Sequence, residues 1–213
     1  MTVYDLPRLD TQGAQQAINV KAGRWKMLAL LLVCASPVIA SYFTYYVIRP
    51  EGRTNYGELI VPTVPVPAIA ATASDGSRVG LDSLKHQWLF VSVADSACNA
   101  QCERHLYLQR QIREGLGKNK DRVDWVWLRT GASELSAPLR EATATATVLH
   151  LNEADLATWL QPEPGRALSD HLYVVDPLGN WMMRFPVDAE PPRMRRDLEK
   201  LLRASSFWDQ PGR

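Results

Sequence analysis

The sequence has almost no excess of charge of either sign: Lys+Arg 24 against Asp+Glu 23 leaves a formal +1 at pH 7. That removes the electrostatic footprint expected of a nucleic-acid-binding chain. Glycine-rich phosphate loops, an H-E-x-x-H helix and a G-x-S-x-G elbow are all missing, so the sequence offers no nucleotide, zinc-protease or serine-hydrolase motif. C-x-x-C-H is also missing, which leaves no site for covalent c-type haem. Cysteine is scarce, with three in 213 residues. One of them, Cys34, lies in an apolar run and reads as a small apolar side chain. The other two, Cys98 and Cys102, are an even number, which suits an oxidising compartment.

What is present first is a long uncharged stretch, Met27 to Ile48. About 20 such residues are enough for a helix to span a bilayer. Lys21, Arg24 and Lys26 precede it, and Tyr42, Phe43, Tyr45 and Tyr46 gather at its far end like an aromatic belt. The positive-inside rule then puts the N-terminus in the cytoplasm and the remainder across the membrane. The alternative is a signal peptide cleaved after Val38-Ile39-Ala40, but the run continues past that point. Pro50, Pro62, Pro65 and Pro67 follow, and read as an extended, semi-rigid spacer. The expected layout is a cytoplasmic tail over 1–26, a transmembrane helix over 27–48 and a Pro-rich tether over 49–74. A globular domain over 75–205 and a C-terminal tail over 206–213 complete it.

Within the domain, Trp88-Leu89-Phe90-Val91-Ser92-Val93 is apolar at successive positions, as in a strand covered on both faces. A helix follows. At 100° per residue Cys98, Cys102, His105, Leu106, Leu108, Gln109, Ile112 and Leu116 share its core-facing stripe. Both sulfurs therefore open the helix one turn apart, about 6 Å between Cα atoms. Val123–Leu128 predicts the next strand, a helix is expected within Glu134–Ala144, and Thr147–Leu151 reads as a short strand or an extended edge. Asn152 predicts a helix start with Asp155 in the capping-box position. His171–Val175 and Trp181–Phe185 predict a hairpin around Asp176-Pro177-Leu178-Gly179-Asn180, with glycine at the left-handed position. Pro192 opens a last helix with Met194, Leu198, Leu201 and Leu202 on one face. This order predicts an α/β, thioredoxin-like three-layer domain preceded by a single N-terminal transmembrane helix.

Asp75-Gly76, Leu81…Leu84, the apolar strand, the C-x-x-x-C pair, Leu149–Leu160 and Tyr173…Asp176-Pro177…Gly179 together resemble the Sco/SenC family from about Asp75 to Ser205. The resemblance implies a membrane-anchored protein of the bacterial inner membrane with its domain in the periplasm. It also implies work in cytochrome c oxidase assembly, with oxidase subunits or respiratory assembly factors as partners. Copper would be the bound metal, held by Cys98, Cys102 and a distant histidine, for which His171 is the candidate. Some members are thiol-disulfide reductants, in which case Cys98 and Cys102 are the redox pair. Asn99 and Glu103 stand where the family usually has proline, and the family histidine falls in register near Leu168, three residues before His171.

Three functions stay open on the sequence: a copper chaperone or reductant for the oxidase, a metal-free accessory module of that enzyme, and a general thiol-disulfide oxidoreductase. The pair itself reads as a metal or redox site, a structural disulfide, or two inert buried thiols. His105, on the cysteine face, reads as a buried histidine bonded to a backbone carbonyl. His86 and His150 receive no role.

Overall fold

A computed structural model of the chain describes residues 20–48, 55–131, 133–205 and 207. Most of the expected cytoplasmic tail and nearly all of the C-terminal tail lie outside these residues. The chain divides into two compact units, Met1–Arg53 and Thr54–Arg213.

The first unit contains helix α1, Val20–Phe43, continued by a π-helical turn, Thr44–Ile48. Pro37 lies inside α1 without ending it. The 25 residues Gly23–Val47 are long and apolar enough to cross a membrane; at 1.5 Å per residue they reach past a hydrocarbon core of about 30 Å. Cys34 is exposed on this helix.

The second unit is an 8-stranded mixed sheet flanked by helices. Its strands are β1 Glu58–Pro65, β2 Ala70–Ala73, β3 Arg78–Gly80, β4 Trp88–Asp95, β5 Val123–Thr130, β6 Thr147–His150, β7 Leu172–Val175 and β8 Asn180–Arg184. They lie in the order β1-β8-β7-β4-β5-β6-β2-β3. β4, β5 and β6 are mutually parallel, and β7 runs antiparallel to β4. The helices are α2 Ala100–Gly115, α3 Ala137–Ala142, α4 Glu153–Trp159 and α5 Pro191–Ala204.

Alternation along β4 explains the layers. Leu89, Val91 and Val93 enter one core cluster with Leu156, Trp159 and Tyr173. Trp88 and Phe90 point the other way, into a cluster with Ile112 of α2 and Met194, Leu198 and Leu202 of α5. Successive side chains of a strand face opposite sides, so a central strand must be apolar throughout. The expected α/β thioredoxin-like order is thus the observed one. The hairpin is as expected too: Gly179 sits at φ +87, and the Asp176 carboxylate accepts from the Asn180 N–H at 2.7 Å.

Three local expectations are corrected. Within the stretch expected as a tether, Glu58–Pro65 and Ala70–Ala73 are instead part of the sheet: β1 pairs with β8, and β2 bridges β6 and β3. β1 is an edge strand, the one place in a sheet where Pro62 removes no essential donor. Its entry is fixed by Asp197 of α5, whose carboxylate accepts from the N–H groups of Tyr56 (2.5 Å) and Gly57 (2.9 Å). A Cβ at Gly57 would meet the side chains of Met183 and Phe185. Second, α4 begins after Asn152, but no side-chain cap bond forms; a backbone bond from the Asp155 N–H to the Asn152 carbonyl takes that place. Third, His171 precedes β7 rather than opening it, closing a 3₁₀ turn over Leu168–Asp170.

Candidate redox site

The C-terminal end of β4 delivers the chain to the cysteines, and a set of backbone bonds fixes the turn. The Ser96 N–H donates to the Thr130 carbonyl (2.9 Å), and Ser96 Oγ donates to the carbonyls of Thr130 and Gly131. The Asp95 carboxylate accepts from the Ala97 N–H at 2.8 Å, and the Cys98 N–H donates to the Asp95 carbonyl at 3.1 Å. Gly131 has φ +79, and the Asp95 carboxylate occupies the space where a Cβ would stand. The end of β5 therefore clamps the loop that carries Cys98.

Asn99 decides where the helix starts. Its Oδ1 accepts from the Cys102 N–H at 3.0 Å, making Asn99 the N-cap and Ala100 the first helical residue. This corrects the expectation that both cysteines lie on the helix. Cys102 is the third residue of α2; Cys98 lies just outside, at φ +42. A left-handed conformation costs a non-glycine residue on the order of 1–3 kcal/mol. It turns Cys98 back toward Cys102, closing a disulfide with Cα atoms 5.1 Å apart. That is nearer than helical spacing and well inside the usual range for a bridge.

The two sulfurs are not equivalent. Cys98 is 8% exposed and lines a cavity of about 320 Å³ between α2 and α3, together with Leu106, Tyr107, Trp125, Pro138 and Leu139. Cys102 is 4% exposed and does not line it. Both pack in a cluster with Leu106, Trp125 and Trp127. A thiolate released at Cys102 would sit in the first turn of α2, where free N–H groups and the helix dipole favour negative charge.

His171 is fully buried, and backbone groups engage both of its ring nitrogens. Nε2 accepts from the Glu163 N–H at 3.2 Å, and Nδ1 lies 2.9 Å from the Phe185 carbonyl. Since an amide N–H only donates, Nε2 is bare and Nδ1 carries the proton, which is the neutral ring. Gln101 of α2 donates to Asp170 at 3.3 Å, so the turn before β7 is tied to the first turn of α2. His105 faces the same region. Burial, with the Arg104 charge adding and Asp170 opposing, pushes its pKa down to about 4. No group of three or more His, Cys, Asp or Glu placed to hold a metal occurs among the described residues.

Sequence reasoning missed Asp95, Asn99 and Gly131, and the groove wall from α3. Asn99 had a readable signal: an asparagine three residues before the first buried helical position is an N-cap pattern. The groove had none, because its two walls are far apart in sequence.

The domain has the fold of Sco-type proteins and thiol-disulfide oxidoreductases. Apo Sco1 from Thermus thermophilus matches with TM-score 0.54 at 19% identity, over 71% of this chain and 99% of that one. A thiol:disulfide interchange protein from Bacteroides sp. matches with TM-score 0.53 at 15% identity, over 70% and 94%. Yeast Sco1 with copper bound matches with TM-score 0.53 at 13% identity, over 67% and 90%. A comparison with curated proteins found no match. The family model described as "Transmembrane-like, thioredoxin-like, C-terminal domain" matches residues 88–205, the stretch from β4 through α5 that carries both cysteines. The chain belongs to that family of transmembrane-like, thioredoxin-like C-terminal domains.

Proposed function

We propose that this chain is a membrane-anchored thiol-disulfide exchange protein, with Cys98 and Cys102 as its redox pair. The observation that carries the reading is a disulfide across the start of α2, one cysteine of which lines an open groove. In this reading residues 27–48 cross a bacterial inner membrane, the tail before them is cytoplasmic, and the domain works in the periplasm. Its clients are cysteine-bearing subunits or assembly factors of a cytochrome c oxidase, whose copper-site cysteines it keeps reduced.

Copper as a cargo is the second reading. Two thiolates are soft donors suited to Cu(I), and the fold is shared with a yeast protein whose structure holds copper. Cys98 and Cys102 are the ligands in this reading, with His171 as the third. His171 has no free ring nitrogen in the disulfide form, so joining them means giving up the Glu163 N–H or the Phe185 carbonyl.

One experiment addresses both. Full-length protein in detergent is equilibrated with dithiol buffers of graded potential, alkylated and weighed, and the reduced form is then titrated anaerobically with Cu(I). Reversible interconversion of Cys98–Cys102 in the native state supports exchange; a bridge that yields only on denaturation overturns it. Stoichiometric Cu(I) uptake lost in Cys98→Ser and in Cys102→Ser supports the cargo reading. No uptake by the reduced protein overturns it.

A further inference from the structure

We infer that a second cavity, of about 500 Å³ between α3 and the end of β2, is a binding site for a phosphate group. It shares no lining residue with the cavity that Cys98 lines, and it goes beyond the exchange reading without depending on it. Arg129 near the end of β5 and Arg140 of α3 line it, with the hydroxyl residues Thr72, Ser74 and Ser133. Glu134 is the one acidic residue of the lining.

Sheet register sets basic side chains in a row there. Arg129 pairs with His150 of β6, His150 with Thr72 of β2, and Thr72 with Arg78 of β3. Residues paired across strands project from the same face. By alternation along β5 it is the face of Trp125 and Trp127. Three strand spacings put Arg129 and Arg78 roughly 14 Å apart, with His150 between them. Arg140 adds a further positive charge from α3. Like charges gathered in this way repel one another. Among the described residues neither Arg129 nor Arg140 makes an ion pair, with Glu134 or any other carboxylate.

Both guanidinium groups are held in place but only partly used. Arg129 Nη1 donates to the Ser133 carbonyl at 3.2 Å, and Arg140 Nη2 to the Leu135 carbonyl at 3.1 Å. An arginine presents five N–H donors, so each keeps donors to spare. Arg129 Nε is buried with no hydrogen-bond partner among the described residues. Such an orphan is rare in a native protein and marks a place where water or an ion completes the set. A carboxylate spends its two oxygens on one guanidinium edge. A tetrahedral phosphate has acceptors for both arginines and for the hydroxyls of Thr72, Ser74 and Ser133. Two arginines less one glutamate leave the lining with one net positive charge, which matches the single negative charge of a phosphodiester. The same chemistry is offered by a phospholipid headgroup and by free phosphate.

The test is isothermal titration calorimetry on the full-length protein in a non-ionic detergent. Its probes are inorganic phosphate, glycerophosphoglycerol (the water-soluble headgroup of phosphatidylglycerol) and acetate. One-to-one, saturable binding of a phosphate probe is expected. Removing one charge-assisted donor should weaken it about tenfold or more, in Arg129→Gln and in Arg140→Gln alike. Arg203→Gln on α5, outside the cavity, should leave it unchanged. Arg140 is exposed, so its variant keeps the fold and tests the site even where Arg129→Gln melts early. Tighter binding of glycerophosphoglycerol than of inorganic phosphate supports the site with a lipid headgroup as its source; the reverse order supports it with free phosphate. No saturable binding of either phosphate probe, or an affinity that Arg140→Gln leaves intact, overturns the site. Acetate bound as tightly as the phosphate probes overturns the assignment to phosphate.

Discussion

Reducing Cys98–Cys102 should leave the domain folded, and the size of the effect follows from the structure. The bridge closes a loop of sequence separation 4. Chain entropy for so short a loop gives about 2 kcal/mol of stabilisation. The left-handed backbone at Cys98 offsets about 1 kcal/mol of this, since reduction frees the residue to relax. The two larger core clusters contain neither sulfur. For a domain of this size each kcal/mol moves Tm by roughly 2–4 °C, so the net loss of about 1 kcal/mol on full reduction should lower Tm by about 2–4 °C. The assay is thermal melting of the full-length protein in detergent, with and without dithiothreitol, with complete reduction checked by mass after alkylation. Circular dichroism reports the fold; tryptophan fluorescence reports the site, because Trp125 and Trp127 pack with the sulfurs. Loss of the cooperative transition on reduction, or a fall well beyond about 15 °C, refutes the reasoning. Such a bridge would be a staple, unsuited to cycling.

Acid should destabilise the domain through His105. Its folded pKa of about 4 lies below the ordinary 6.5, so between those values the unfolded chain binds more protons. Stability therefore falls as pH drops from about 6.5 to 4, by roughly 3 kcal/mol; urea unfolding at pH 7 and pH 4.5 should show a smaller difference in His105→Gln than in the parent. Asp197→Ala should cost about 3 kcal/mol, because a carboxylate 2% exposed accepts from two backbone N–H groups and Lys200. Hydrogen exchange at Tyr56 and Gly57 should accelerate in that variant before the central strands respond. Asn99→Ala should lose about 1 kcal/mol in denaturant titration and Asn99→Gly only a few tenths, the signature of an N-cap.

The central architecture was legible because local pattern and tertiary position agree there. β4 is buried on both faces, and its sequence from Trp88 to Ala94 is apolar at every step except Ser92. α2 and α5 carry their core stripes at helical period, and Asp176–Asn180 carries its own turn chemistry. The edge strands were not legible, for a physical reason. β1 contains Pro62 and ends at Pro65, residues that argue against a strand anywhere but an edge. Which strand becomes an edge is decided by the whole sheet. β2 is Ala70-Ala71-Thr72-Ala73, too small to declare itself, and it persists because β6 and β3 flank it. At the site, both cysteines and the strand-to-helix junction were readable. Their inequality and the backbone bonds of His171 were not, since those depend on groups supplied from β5, Glu163 and Phe185.

That inequality follows from one residue. On the sequence Cys98 and Cys102 are interchangeable positions on a stripe. Asn99 breaks the symmetry by capping α2 through the Cys102 N–H. With Cys102 inside the first turn and Cys98 outside it, Cys102 lies where the helix end favours negative charge and Cys98 is the cysteine that lines the groove. An exchange reaction needs these two properties on different atoms: a sulfur open to attack, and a partner that departs as a stable thiolate. Had the helix begun two residues earlier, both cysteines would have shared one helical stripe, and the redox role proposed for the pair would lose the asymmetry it relies on.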